Sequence, residues 1–181
     1  MKNQRTNRRS VRILKWIGRV LIVQLILINI SAAFHAYRIT HYYDDDKIRS
    51  QESSQGKPFL RTWRMMTGKK LAKSPINYYP PIPYDTVQLT TSNGIKLEAW
   101  YMNADSAKGT VILFHGLNSN KGNVLAEAFE FISFNYNVML VDMRAHGNSE
   151  STISTLGYKE SEEVKLAYDY ILKKGENNIV L

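Results

Sequence analysis

From Tyr84 onward the chain alternates short apolar runs with polar, glycine-containing breaks, and the spacing of those runs lays out a domain. Thr86 to Thr91 and Ile95 to Tyr101 are β-rich stretches separated by Ser92-Asn93-Gly94. Asn-Gly between two such stretches predicts a tight antiparallel hairpin. Gly109 to Gly122, GTVILFHGLNSNKG, comes next and organises the rest. Val111 to Phe114 is a continuous apolar run of strand length, the pattern of a strand covered on both faces. It stops at His115-Gly116, where Gly116 is expected to let the backbone turn sharply, and opens into a loop rich in Asn, Ser and Gly. Helix-forming sequence begins at Asn123, with Leu125, Ala128, Phe129 and Ile132 on one face. Asn137 to Asp142 supplies another buried strand around Val138-Met139-Leu140-Val141. A second helix, from about Tyr158 to Lys174, is expected to bury Val164, Ala167, Tyr168 and Ile171. Glu160, Glu162 and Glu163 in its first turn, Lys173 and Lys174 in its last and Gly175 beyond suit the helix dipole. Asn178 to Leu181 starts one more apolar strand. Strand, helix, strand, helix, strand is a βαβαβ unit. The expected class is therefore α/β, with a sheet parallel beyond the hairpin, right-handed crossovers and ligand-binding loops at the carboxyl ends of the strands.

The N-terminal part follows different rules. Val20 to Phe34 is apolar apart from Gln24, Asn29 and Ser31, and its flanks extend it to about 20 residues, enough to cross a bilayer. Residues 20–37 are read as a transmembrane signal-anchor helix, with Arg19 and Arg38 able to snorkel and Trp16 and Tyr37 suited to the headgroup zones. A cleaved signal peptide is the competing reading, because Ser31-Ala32-Ala33 resembles a cleavage site. The long basic stretch before the run and the aromatic and basic belt after it favour the uncleaved anchor. Residues 38–83 are expected to be a linker. Asp44 to Gly56 is polar and reads as exposed, whereas Phe59, Trp63 and Met66 recur at helical spacing among Lys57, Arg61, Arg64, Lys69, Lys70 and Lys73. That is a basic amphipathic helix capped at Gly68, suited either to an anionic membrane surface or to packing against the domain. Pro75, Pro80, Pro81 and Pro83 then exclude regular structure up to the domain, residues 84–181.

Charge sharpens this division. The formal net charge is +8, but seven of the 24 basic residues lie in the tail of residues 1–19, which has no acid; the remaining 17 face 16 acids. Basicity thus belongs to the tail, so nucleic acid is not an expected partner. By the positive-inside bias the N-terminus is cytoplasmic and the domain lies on the extracytoplasmic side of the inner membrane in a single-pass arrangement, with the lipid bilayer as a partner. There is no cysteine, which excludes disulfides and thiolate metal sites.

Two familiar chemistries fail on their defining residues. The loop after the Gly109 strand carries neither the G-x-G-x-x-G of a dinucleotide site nor the G-x-x-x-x-G-K-[ST] of a phosphate loop. What remains for an amide at the end of such a strand is acyl-transfer chemistry, where it stabilises a tetrahedral oxyanion. Residues 84–181, with the Asn93-Gly94 hairpin, the strand ending at His115-Gly116 and the turn Val141-Asp142-Met143-Arg144-Ala145-His146-Gly147-Asn148-Ser149, resemble the N-terminal half of an α/β-hydrolase. They are similar to the membrane-anchored bacterial serine hydrolases related to serine aminopeptidases and acyl esterases.

The resemblance implies an oxyanion hole in which the Leu117 backbone N–H is one donor, with His115 and Gly116 shaping the turn. It also implies a nucleophilic serine in a G-x-S-x-G elbow after the fifth strand, followed by an acid and a histidine. The chain stops at Ile179-Val180-Leu181, so the triad is absent and the chain is expected to be a fragment of the hydrolase. The implied function is hydrolysis of an ester, thioester or amide bond in a small-molecule or peptide acyl substrate, without a cofactor. The alternative is a non-catalytic, membrane-anchored interaction module. His115, His146 and Asp142 read as loop-shaping hydrogen-bond groups rather than a metal site, and Ser119 and Ser149, lacking a glycine-flanked elbow, as non-nucleophilic. Arg144 is expected to pair with a loop carboxylate, and Phe129, Phe131, Phe134 and Tyr136 to serve packing.

Overall fold

The computed structural model describes residues 2–44 and 58–181, with side chains from residue 9 onward. The polar stretch expected over 44–56 lies outside the described residues apart from Asp44. Two compact units emerge, one of residues 1–39 with 55–69 and one of residues 40–54 with 70–181. The expected linker, residues 38–83, is therefore divided between the two units.

In the first unit, α1 runs unbroken over Lys2–Thr40 and α2 over Pro58–Thr67. The window Arg9–Thr40 of α1 is long and apolar enough to cross a membrane, with a mean hydropathy of 2.0 at its peak and none of it buried. Apolar side chains are exposed all round it, which no helix packed in a water-soluble core does. The carbonyls of Met65 and Met66 at the end of α2 accept hydrogen bonds from two side chains of α1: Ser31 Oγ donates to Met66 O at 2.7 Å and the His35 ring to Met65 O at 3.0 Å. Gly68 ends α2 with φ of +75°, and a Cβ there would lie 3.2 Å from the Arg38 stem and from the His35 ring, so both conformation and space select glycine.

The second unit begins with β1, Tyr42–Tyr43, paired in parallel with β2, Leu71–Ala72. The proline-rich stretch after β2 is irregular, as expected. The main sheet comprises β3 Asp85–Thr90, β4 Lys96–Met102, β5 Thr110–Phe114, β6 Asn137–Val141 and β7 Ile179–Val180, in the order β3-β4-β6-β5-β7. β3 and β4 form the expected hairpin, closed by Gly94 at φ of +83°. β4 is antiparallel to β6, and β5 is parallel to both β6 and β7. Helix α3, Leu125–Ser133, connects β5 to β6, and α4, Glu160–Lys173, connects β6 back across β5 to β7.

Because the two crossovers leave β6 and β5 in opposite directions, their helices cover opposite faces. Alternation along β6 makes this visible: Val138 and Leu140 pack with Leu125 and Ala128 of α3, while Met139 and Val141 pack with Ala167 and Ile171 of α4. All four β6 side chains are fully buried, as a strand sandwiched between helices requires. Tyr168 departs from expectation, being exposed on α4, whereas Glu160 and Glu163 are buried. Phe134 also faces outward beyond the end of α3, while Phe129 and Phe131 pack on the core. Ala167 and Ile171 keep the expected helical period, but polar partners turn Glu160 and Glu163 inward beside them.

Candidate active site

The loops leaving the carboxyl ends of β5 and β6 lie against each other, and hydrogen bonds between them fix both. Asp142, the residue after β6, is wholly buried, and its carboxylate is the hub. It accepts from the Lys121 backbone N–H at 2.7 Å, the Lys121 ammonium at 2.5 Å and the Asn148 N–H at 2.9 Å. Lys121 therefore does not point to solvent, as a lysine in a polar loop would be expected to do. Its Nζ also donates to Glu98 Oε1 at 2.9 Å and lies 4.6 Å from the centre of the Trp100 ring. A buried charge is tolerated only when its hydrogen-bonding capacity is met, and Lys121 meets it with two carboxylates and an aromatic face.

Lys121 opens a short 3-10 helix, Lys121–Val124, ahead of α3, so helical structure starts two residues before the expected Asn123. Asn120 is the N-cap, its side chain accepting from Gly122 N–H at 2.9 Å and donating to Pro75 O at 2.9 Å. On the other loop Gly147 has φ of +47°, and a Cβ there would sit 2.0 Å from Asp142 Oδ2. Glycine is obligatory at 147 because the carboxylate occupies the space a side chain would need.

The two histidines tie the loops reciprocally. His115, on the β5 loop, accepts from Met143 N–H on the β6 loop at 3.2 Å. His146, on the β6 loop, accepts from Asn118 N–H on the β5 loop at 3.2 Å. In both rings Nε2 is the acceptor, so Nδ1 carries the hydrogen and donates at 2.8 Å to a carbonyl, Gly116 O for His115 and Arg144 O for His146. These are neutral imidazoles with both nitrogens engaged. Burial lowers the pKa of each, and their mutual proximity, with ring centres 5.0 Å apart, lowers that of His115 further. Among the described residues no group of three or more His, Asp or Glu is placed to hold a metal ion.

The expected site residues fall as follows. His115 is buried, and Gly116 and Leu117 are exposed at the tip of the β5 loop. The left-handed residue of the turn is Asn118, with φ of 56°, not Gly116. Neither conformation nor space requires glycine at 116, since its φ is not left-handed and a Cβ there would meet nothing within 4 Å. Between the anchored His115 and Asn118, the Leu117 N–H has no acceptor among the described residues. Ser149 is fully buried, donating to Asp142 O at 2.6 Å and accepting from Glu98 N–H at 2.9 Å. It closes the β6 turn. Ser119 accepts from Asn123 Nδ2.

Outside this hub, Arg144 pairs with buried Glu163 in the first turn of α4, not with a loop carboxylate as expected. Glu160 is buried at the same helix end. Burial alone would raise its pKa, but the Thr155 hydroxyl and the amides of Thr155 and Gly157 donate to it and hold it at about 2. Tyr42 of β1 packs against His146 with ring centres 4.5 Å apart and planes tilted by 55°, and Tyr42 N–H donates to Thr152 O at 2.7 Å. The residues that follow α1 thus buttress the histidine that holds Asn118. Nothing in local sequence marks Tyr42, Glu98 or Lys121 for these places; the Asn120 cap was the one available sign that the helix begins at Lys121.

No family model matches the chain. An uncharacterized membrane protein of Saccharomyces cerevisiae is 34% identical over 83 residues, which make up 43% of this chain and 28% of that protein. Among solved structures, an esterase of Pyrococcus furiosus superposes with a TM-score of 0.50 at 29% identity, over 56% of this chain and 41% of the esterase. The fold is the N-terminal half of an α/β-hydrolase. The chain spans well under half the length of either relative. In this α/β-hydrolase fold Leu117 follows the carboxyl end of β5, which has parallel neighbours on both sides, and open α/β sheets bind their ligands at that end of their strands.

Proposed function

We propose that these residues form the membrane anchor and one half of the oxyanion site of a serine hydrolase acting on an ester, thioester or amide bond. The substrate class is a small-molecule or peptide acyl compound. The observation that carries the reading is the Leu117 N–H: it has no acceptor among the described residues, while both flanks of its turn are locked by His115 and Asn118. A fixed, unused donor costs nothing to reorganise when negative charge develops on a carbonyl oxygen, and that is how an oxyanion hole lowers the barrier.

In the reaction, a serine oxygen bonds to the acyl carbon as its proton passes to the triad histidine, the carbonyl π pair moves to oxygen as an oxyanion, and collapse breaks the bond to the leaving group, which takes that proton; water then adds to the acyl carbon in the same way, releasing the acid and restoring the serine. Leu117 N–H stabilises the oxyanion, and the second donor is the amide following the nucleophile. No G-x-S-x-G occurs in residues 1–181, and the reading places that elbow after β7. The exposed apolar surface of α1 supports a tether that spans the bilayer, and the basic N-terminal tail supports a cytoplasmic N-terminus.

The test is labelling with a fluorophosphonate probe, applied to the 181-residue chain and to a chain extended through the following reading frame. Labelling of the extended chain alone is expected, and Leu117→Pro in that chain, which deletes the donor, is expected to slow ester hydrolysis by about 10²- to 10³-fold. Labelling of the short chain overturns the assignment of the nucleophile. Labelling of neither favours the interaction module.

A further inference from the structure

Helix α2 has an unusual surface. Phe59 is 79% exposed, Trp63 58% and Met66 49%, and at positions i, i+4 and i+7 they form one stripe of the helix. Arg61 projects from the opposite side and is also exposed. No acidic residue occurs anywhere from Lys57 to Tyr84. A stripe of large aromatic and thioether side chains left in the open needs an occupant.

The hydrogen bonds to α1 identify it. Ser31 and His35, which hold the last carbonyls of α2, lie one turn apart at the end of the apolar run Val20 to Phe34, and Gly68 packs on the His35 and Arg38 side chains immediately beyond it. The same stretch of α1 presents a shallow, wholly apolar crevice of about 410 Å³ lined by Ile30, Ala33, Phe34 and Tyr37. The carboxyl end of α2 is therefore pinned at the depth where an α1 spanning the bilayer leaves the hydrocarbon and enters the headgroups.

We propose that α2 lies in the headgroup layer of the leaflet at the carboxyl end of α1, with Phe59, Trp63 and Met66 inserted among the upper acyl chains and Arg61 at the level of anionic lipid phosphates. Membrane binding of such a helix combines buried apolar area with attraction to anionic lipid. Two contacts to one transmembrane helix make α2 a collar that fixes how far α1 can slide through the bilayer. The inference rests on the membrane reading of α1.

The absence of cysteine permits an unambiguous test. Single-cysteine variants Phe59→Cys, Trp63→Cys, Arg61→Cys and, on α1, Leu27→Cys are nitroxide-labelled in the full chain. They are reconstituted in vesicles of phosphatidylcholine with phosphatidylglycerol, and collision with oxygen and with a water-soluble nickel complex is compared. Labels at 59 and 63 are expected to favour oxygen by several-fold over the label at 61, with the label at 27 favouring it most. The preference at 59 is expected to fall when phosphatidylglycerol is omitted. If the label at 27 lies in lipid but those at 59 and 63 meet the nickel complex, or neither reagent, the collar is overturned while the anchor stands; shielding from both reagents identifies burial against protein. If the label at 27 also avoids oxygen, both readings fall. An unchanged preference at 59 without phosphatidylglycerol overturns the role given to Arg61.

Discussion

The helical unit and the sheet unit place the same kinds of residue in opposite environments. In α1, leucine, isoleucine and valine side chains stand exposed along the whole apolar run; in β6, every apolar side chain is buried between two helices. Polar groups are reversed as well. The second unit buries Asp142, Lys121, Glu163, Arg144, His115 and His146, all in hydrogen-bonded sets, whereas Arg61 on α2 faces outward. The contrast teaches that the second unit uses its burial to fix two loops, while the first leaves its apolar surface exposed, as the proposed membrane anchor requires. A hydrophobic run is a core in one case and an exposed surface in the other, and its neighbours decide which.

Four experiments sharpen that contrast. The largest effect is expected at Gly147→Ala. Its Cβ would collide with the Asp142 carboxylate at a left-handed φ, and loss of about 4 kcal/mol or more is expected, read by denaturant unfolding of the detergent-extracted chain. A wild-type midpoint would show that the loop can move away from Asp142. Next, Asp142→Asn leaves the Lys121 ammonium buried with Glu98 as its remaining carboxylate, an expected cost of about 3–5 kcal/mol. Adding Lys121→Met should recover much of that loss, because it removes the buried ammonium that has lost one of its two carboxylates. If the double variant is no better than the single, the hub is not an ion pair with separable partners.

A smaller and more pointed comparison sets Leu140→Ala against Leu21→Ala. Leu140 is 0% exposed and Leu21 58%, so the first is expected to cost about 2–5 kcal/mol and the second within about 0.5 kcal/mol in micelles. Equal effects would erase the distinction between core and exposed leucines. The smallest effect concerns pH. His115 and His146 have lowered pKa values, so between those values and the usual 6.5 the unfolded chain binds more protons than the folded one. Their contribution is complete above about pH 6.5 and declines as pH falls below it. Thermal midpoints measured from pH 7.5 down to pH 5 should fall, and His146→Gln should flatten that slope. A slope unchanged by the substitution would mean other groups carry it.

Much of the architecture was legible before any coordinates. The hairpin follows from Asn93-Gly94, the sandwiched strands from uninterrupted apolar runs, and α3 and α4 from their period, because each signal is local and backbone geometry answers it directly. The site was legible only in outline. His115, Gly116 and Leu117 could be placed at the end of a strand, but the turn's left-handed residue proved to be Asn118, and Tyr168 was read as buried where Glu163 is. Both differences arise from partners distant in sequence: His146 fixes Asn118 across 28 residues, and Arg144 draws Glu163 inward across 19.

Sequence by itself determined that this chain has a long apolar N-terminal helix, an α/β order of elements, and a turn at the end of β5 through His115, Gly116 and Leu117. Periodicity, propensity and charge placement act over a few residues, so they can be read one stretch at a time. Tertiary structure alone decided that Lys121 turns inward to Asp142 and Glu98, that the two histidines are locked as neutral acceptors, and that Tyr42 supports one of them. Those outcomes depend on which groups meet after the sheet has assembled, when burial makes an unpaired charge or amide costly and every polar side chain must find its partner among residues far along the chain.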